Sequence, residues 1–222
     1  MIRQGYIMVN GNVIRDHLYL VKDSDSITFS KMISRYMNQL GLILVNKPRG
    51  IFTNCKIGND EKEVVDLLPK RYKNFSSIGR LDKDSEGLIL FTNDGVYANQ
   101  FLNSGETHQR VYQVWTKQAL SPKQLNQLST GVMLDDGLTL PATVTMINQN
   151  CYQFILNEGR NRQIRRMVEV CGTHVIRLKR LHFGDYSLTQ IKHGHFLYLS
   201  LKQNFQQRAK DLLTNNDKGS NI

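Results

Sequence analysis

The sequence predicts an α+β fold, a mixed and largely antiparallel sheet with flanking helices. Three observations support this. The runs Leu42-Ile43-Leu44-Val45 and Leu88-Ile89-Leu90-Phe91 have the continuous hydrophobicity of buried strands. Turn signals at Asn10-Gly11-Asn12, Asp136-Gly137 and Asn148-Gln149-Asn150 separate short segments as hairpin turns do. Two segments, beginning near Ser121 and Asn161, carry helical periodicity and end at glycine.

Taken in order, Ile7-Met8-Val9 and Val13-Ile14 flank the first turn. A further apolar run, Leu18-Tyr19-Leu20-Val21, and the polar Lys22-Asp23-Ser24-Asp25-Ser26 precede Ile27-Thr28-Phe29, which together read as a small strand-rich module. A linker of mixed polarity, residues 30–39, leads to the strand Leu42–Val45, closed by Pro48. The second apolar run ends at the turn signal Asn93-Asp94-Gly95, and Val111-Tyr-Gln-Val-Trp-Thr alternates as a strand. Ser121-Pro122 caps a helix through Leu125 and Leu128 to Gly131. From about Lys202 the chain turns polar, with a short helix expected over Ala209–Leu213 before a frayed tail.

Composition narrows the function. The 222 residues allow a main domain plus a small appendage, with 40% hydrophobic content typical of globular proteins. A formal net charge of +10 favours a polyanionic partner such as nucleic acid. Cys55, Cys151 and Cys171 are scattered, which argues against a disulfide framework or a zinc site and fits a reducing cytoplasm. His193-x-His195 lacks a third ligand motif, so no metal is expected. There is no signal-peptide-like start and no apolar run long enough for a membrane span, so a cytoplasmic monomer without a membrane partner is expected.

Two segments carry chemistry. In Gly79-Arg-Leu-Asp-Lys-Asp-Ser-Glu-Gly, Arg80 and Asp82 are two residues apart. An extended loop therefore turns both to one side and tucks Ile78 and Leu81 behind. The planar guanidinium of Arg80 suits stacking on a ring or gripping a nucleic-acid backbone, or else a simple ion pair with Asp82 or Asp84. Asp84 and Glu86 rival Asp82 on chemistry alone. In Asn161-Arg-Gln-Ile-Arg-Arg-Met-Val-Glu-Val-Cys-Gly, the residues Ile164, Met167, Val168 and Cys171 form a buried helical stripe, and Gly172 stops the helix. Arg162 and Arg166, with Arg160 just ahead, project away from that stripe and suit phosphate contacts. Arg165 borders it and suits a bidentate pair with a partly buried carboxylate.

These segments resemble the RsuA-like family of ribosomal RNA pseudouridine synthases, over roughly Gly41 to Leu201. Gly79-Arg-Leu-Asp is similar to the family's catalytic signature, which implies that Asp82 is the catalytic carboxylate. Asn161-Arg-Gln-Ile-Arg-Arg-Met is similar to its third motif, which implies that Arg165 pairs with Asp82. Asn46-Lys47-Pro48-Arg49-Gly50 resembles the phrase that precedes the aspartate, and Lys47 is expected among the substrate contacts with Arg80, Arg160, Arg162 and Arg166. Arg110-Val-Tyr-Gln-Val implies that Tyr112 faces the target base, and Val175-Ile-Arg-Leu-Lys-Arg that Leu178 lines its pocket. From residue type alone both are ordinary packing positions.

The resemblance further implies the pseudouridine synthase fold over residues 39–203, with 204–222 a polar tail. Residues 1–38 are similar to the second half of the αL-type RNA-binding domain plus a linker. Two helices normally precede that half and have no counterpart before Gly5, so a reduced form or a truncated start is expected. The implied reaction breaks the N1–C1′ bond of a flipped uridine, rotates the uracil and joins C5 to C1′, without a cofactor; flipping costs a few kcal/mol. That fits a sequence with no dinucleotide or phosphate-loop fingerprint. Gly131-Val-Met-Leu-Asp-Asp-Gly-Leu-Thr-Leu-Pro-Ala is similar to large-subunit members, which points to 23S RNA as the partner. The competing reading is a ribosomal RNA-binding or assembly factor without chemistry.

Overall fold

Asn10 and Gly11 adopt φ of 50° and 82°, the positive values that a tight two-residue hairpin turn requires, and join β1 (Ile7–Val9) to β2 (Asn12–Ile14). The computed structural model describes residues 2–31, 39–54, 61–103 and 108–201. Cys55 and the helix expected over 209–213 lie outside them. The chain divides into one unit of residues 1–42 with 199–222 and another of residues 43–198. In the first, β3 (Ile27–Phe29) pairs with the other side of β1, and Ile2, Ile7, Val9, Ile14 and Ile27 bury a small apolar cluster. The run Leu18–Val21 forms no strand, and Leu18 and Leu20 are exposed. Asp16 and Asp25 instead accept the amides of Leu18 and Lys22, each at 2.9 Å, which bends the chain there.

The remaining strands are β4 (Gly41–Lys47), β5 (Ser76–Ile78), β6 (Glu86–Thr92), β7 (Arg110–Thr116), β8 (Met133–Leu134), β9 (Gly137–Leu138), β10 (Thr143–Asn148), β11 (Cys151–Leu156), β12 (Val175–Phe183), β13 (Tyr186–Ser187) and β14 (Phe196–Ser200). Among the described residues nine of them form one sheet in the order β10-β11-β7-β12-β6-β4-β14, with β5 on β6 and β13 on β12. The β10/β11, β11/β7, β7/β12, β5/β6 and β12/β13 pairs are antiparallel, whereas β12 and β6 run parallel. The two apolar runs are neighbours within it, β4 and β6, buried along their whole length. This is the mixed, mostly antiparallel α+β arrangement that the sequence predicts.

Three helices have legible ends. Asn93-Asp94-Gly95 starts helix α1 (Gly95–Asn103) rather than a hairpin: Asp94 Oδ1 accepts the amides of Val96 and Tyr97, both at 3.1 Å. Helix α2 (Pro122–Thr130) opens with a capping box between Ser121 and Gln124, and Gly131 at φ 115° ends it. Helix α3 (Gln163–Val170) buries Ile164, Met167 and Val168 in the main core with Cys171, and Gly172 at φ 84° terminates it. Among the described residues no helix is long and apolar enough to cross a membrane.

The loop from Gly79 to Ser85, between β5 and β6, is fixed through its backbone. Thr53, itself buried, accepts the Leu81 amide at 3.0 Å and donates to the Leu81 carbonyl at 2.8 Å. Lys47, the last residue of β4, is fully buried and its ammonium donates to the carbonyls of Ser85 (2.7 Å), Asp82 (3.0 Å), Pro48 (3.1 Å) and Lys83 (3.4 Å). Burial lowers its pKa to about 8, opposed by the nearby Asp82, Asp84 and Glu86 carboxylates. Gly87, at φ 105°, permits close approach of β12, since a Cβ there would lie 2.2 Å from the Arg180 carbonyl oxygen and 2.7 Å from its nitrogen.

Gly87→Ala is therefore expected to cost more than about 3 kcal/mol of stability in urea denaturation, because backbone, not a pliable side chain, must move. Lys47→Met leaves buried carbonyls unpaired and is expected to cost about 2–4 kcal/mol near neutral pH. Because the folded pKa of Lys47 lies below its ordinary 10.5, the unfolded chain holds the extra proton between about 8 and 10.5. The stability contribution of this group thus rises with pH across that window. Urea midpoints for wild type and variant, taken near pH 7 and near pH 9, are expected to diverge further at the higher pH.

Candidate active site

With its backbone held from behind, the loop turns Asp82 outward. Its carbonyl also accepts the Ser85 amide at 3.0 Å, which tightens the turn and leaves the Asp82 carboxylate 28% exposed. Asp82 lines a cleft of about 390 Å³ with Arg80, Tyr112, Leu178, Arg162 and Ser85, a size within the usual small-ligand range of roughly 300–1,000 Å³. Arg80 and Asp82 both line the cleft, and Leu81 between them, though buried, contributes to its wall as well.

Two guanidinium groups flank the carboxylate. Arg162 Nη1 stands 3.6 Å and Arg165 Nε 4.0 Å from Asp82 Oδ2. Arg165 is only 12% exposed, and its outer nitrogens donate to the carbonyls of Val175 (3.3 Å) and Asp84 (3.2 Å) and to Ser85 Oγ (3.3 Å). Its Nε has no hydrogen-bond partner among the described residues and is the nitrogen nearest Asp82. The bidentate pair expected for Arg165 is therefore corrected to a single approach, because the rest of the fork is spent on loop carbonyls. Burial, and after it the Arg162 cation, lowers the Arg165 pKa, with Asp82 and Asp84 opposing; arginine's high ordinary value keeps it charged. Arg162 begins α3 at φ 48°, a left-handed backbone unusual for a residue with a side chain, and is 46% exposed.

The structure separates Asp82 from its rivals. Asp84 is exposed and outside the cleft lining. Glu86 is buried and engaged by the Arg177 guanidinium, which also stacks 4.5 Å from the Trp115 ring. Tyr112, on β7, and Leu178, on β12, are buried at 8% and 6% exposure yet reach the cleft wall. Arg80 is exposed and forms no ion pair among the described residues, so the alternative of a simple pair with Asp82 or Asp84 is absent there.

Three expected substrate contacts have other partners. Lys47 does not reach the cleft; its ammonium is consumed by loop carbonyls. Arg166 forms ion pairs with Asp135 (2.5 Å) and Asp136 (2.8 Å) in the β8–β9 turn, and holds the Asp136 carboxyl below its usual range. Arg160 lines the cleft, but its guanidinium donates to Glu158 Oε2 (3.0 Å), to Asp136 and to the carbonyls of Gly137 (2.9 Å) and Leu138 (2.5 Å). It ties that hairpin to the start of α3. The sequence reading also missed Ser85, Glu158 and Gln163. Glu158 accepts from Gln163 (2.6 Å) and from the Leu140 amide (2.9 Å), and so shapes the arginine-bearing loop. The acidic turn opposite two arginines was the available signal. Among the described residues no cluster of three or more His, Cys, Asp or Glu is placed to hold a metal.

A family profile described as RNA pseudouridylate synthase matches residues 41–170. The ribosomal large subunit pseudouridine synthase B of Bacillus subtilis (strain 168) is 32% identical over 201 residues, 87% of this chain and 82% of its own. The dual-specificity RNA pseudouridine synthase RluF of Escherichia coli (strain K12) is 33% identical over 199 residues, 88% of this chain and 67% of its own. The crystal structure of a pseudouridylate synthase matches at a TM-score of 0.68 and 22% identity, over 95% of this chain and 90% of that one, a likeness of fold. The profile spans more than half of the chain and the relatives exceed 30% identity over most of it: the chain belongs to the RNA pseudouridylate synthase family.

Proposed function

We propose that this protein converts a uridine of large-subunit ribosomal RNA to pseudouridine, with Asp82 as the catalytic carboxylate. One observation carries the reading: of the three carboxylates between residues 82 and 86, only that of Asp82 lines the open cleft, and it does so between two guanidinium groups. A carboxylate in a partly dry pocket needs adjacent positive charge to remain ionised, and Arg165 and Arg162 supply it. The names of the large-subunit relatives and the net charge of +10 support ribosomal RNA as the partner.

A flipped uridine enters beside Tyr112 and Leu178, whose side chains form the apolar wall against which a base packs. Arg80 occupies the space that the base vacates or grips the backbone beside it, and Arg162 meets the phosphates at the mouth. Asp82 offers negative charge to C1′ as its bond to N1 breaks. The uracil turns within the pocket and C5 bonds to C1′. At that stage C5 still carries its hydrogen, which leaves as a proton. The C5–H pair becomes the C5=C6 double bond, the C6=N1 pair withdraws to N1, and N1 takes up a proton. The net change is an isomerisation that consumes no electron carrier or activated group, so the reaction needs no cofactor; we place the enzyme in the cytoplasm as a monomer.

The test is to map pseudouridines in ribosomal RNA, by carbodiimide treatment and primer extension, from cells lacking the gene. Complementation with wild type is expected to restore a missing site and Asp82→Ala to leave it absent; restoration by both overturns the mechanism. In single-turnover assays Arg165→Ala is expected to slow conversion by roughly 10²–10³-fold with RNA affinity nearly unchanged, since its charge acts on Asp82 rather than on phosphate. Arg162→Ala and Arg80→Ala are expected to weaken RNA binding and each to lower the salt slope by about one. Arg160→Ala and Arg166→Ala are expected chiefly to lower the melting temperature.

A further inference from the structure

Beneath Tyr112 lies a cation that the reaction scheme above does not use. Arg180, on β12, stands directly opposite Tyr112 in the antiparallel β7/β12 register, so the two side chains share one face of the sheet at nearest-neighbour spacing. Arg180 is 2% exposed and does not line the cleft, whereas Tyr112 does. The guanidinium is oriented on two sides: its Nε donates to the Leu88 carbonyl on β6 at 2.7 Å, and its plane lies 4.7 Å from the centre of the Phe183 ring. It forms no ion pair among the described residues, and its Nη2 has no well-formed hydrogen bond there. The Tyr112 hydroxyl is close enough to attract it, and Arg110 nearby repels it.

A buried arginine without a carboxylate is costly to the fold, since the charge is stripped of water with nothing to balance it. A glutamine would donate to the Leu88 carbonyl without burying a charge. The charge itself therefore calls for an explanation, and the Tyr112 hydroxyl that attracts it belongs to a side chain reaching the cleft wall.

We propose that Arg180 is a positioning residue for Tyr112, fixing the phenol against the base and stabilising the negative charge that gathers on its oxygen as it relays the proton leaving C5. In that step the Tyr112 O–H bond breaks as its proton passes to N1, the C5–H bond breaks, and the C5 proton forms a new O–H bond on the phenolate oxygen. The C–H pair enters the C5=C6 bond and N1 is protonated, so charge rests on the phenolic oxygen only in passing. Arg180 contributes nothing to cleavage of the N1–C1′ bond, which Asp82 serves. The inference rests on the pseudouridine-forming reaction proposed above.

The test separates the last chemical step from the earlier ones. Arg180→Gln keeps an N–H donor for Leu88, and Arg180→Lys keeps the charge without the fixed fork, so at least one variant retains the fold, as judged by circular dichroism. Single-turnover conversion is measured on ribosomal RNA fragments containing uridine or 5-deuterouridine. Wild type is expected to show little isotope effect. Arg180→Gln is expected to slow conversion by roughly tenfold to a hundredfold, with RNA affinity unchanged and an isotope effect clearly above unity, because C5 proton loss has become limiting. Arg180→Lys is expected to show the same pattern at smaller amplitude. A slowed variant with no isotope effect, or a weakened affinity that explains the loss, reduces Arg180 to a structural role and overturns the proposal. Wild-type protein that forms no pseudouridine on these fragments or on whole ribosomal RNA overturns the reaction reading and this inference with it.

Discussion

A lysine ammonium shut away from water fixes the geometry on which the site depends. Lys47 donates to four main-chain oxygens, three of them in the segment that carries Asp82. Carbonyls turned inward toward a cation leave the adjoining side chain facing out, so the direction of the aspartate is set by backbone electrostatics rather than by its own contacts. Thr53 does the same one residue earlier with a single hydroxyl. The carboxylate can then remain partly exposed and unbonded, as a group that must meet a substrate needs to be.

The arginines divide the work according to what holds their guanidinium groups. Arg160 and Arg166 are both engaged by an acidic turn, Arg160 by carbonyls as well, which makes them girders. Arg165 is half committed: its outer nitrogens brace the loop while Nε stays toward Asp82. Arg162 and Arg80 are exposed and available to RNA. Positive charge along one short helix thus serves three ends, and the helical spacing that looks uniform in sequence conceals the difference. What distinguishes them is the position of Asp135 and Asp136, nearly thirty residues away in the chain.

Local features were legible where local physics decides them. The buried character of β4 and β6, the Ser121–Gln124 capping box and the Ile164–Cys171 stripe follow from patterns within a dozen residues, and all appear in the fold. Asp82, Arg165, Tyr112 and Leu178 come from four separate segments, and motif resemblance, not spacing, identified them together. The readings that failed concern partners distant in sequence. Lys47 reads as a surface cation until β6 and its loop close over it. Leu18–Val21 has strand composition but pairs with no strand among the described residues. Asn93-Asp94-Gly95 carries turn chemistry that serves a helix start equally well, and only the following backbone decides.

Arg162 bears a bulky side chain on a left-handed backbone at the entrance to α3, where glycine would sit without strain. A sequence tuned for folding alone would drift toward glycine there, gaining robustness while stripping one of the two cations from the aspartate. The arginine marks a point where backbone ease and the charge beside the aspartate pull in opposite directions, so a glycine placed there for stability would thin the positive field around Asp82.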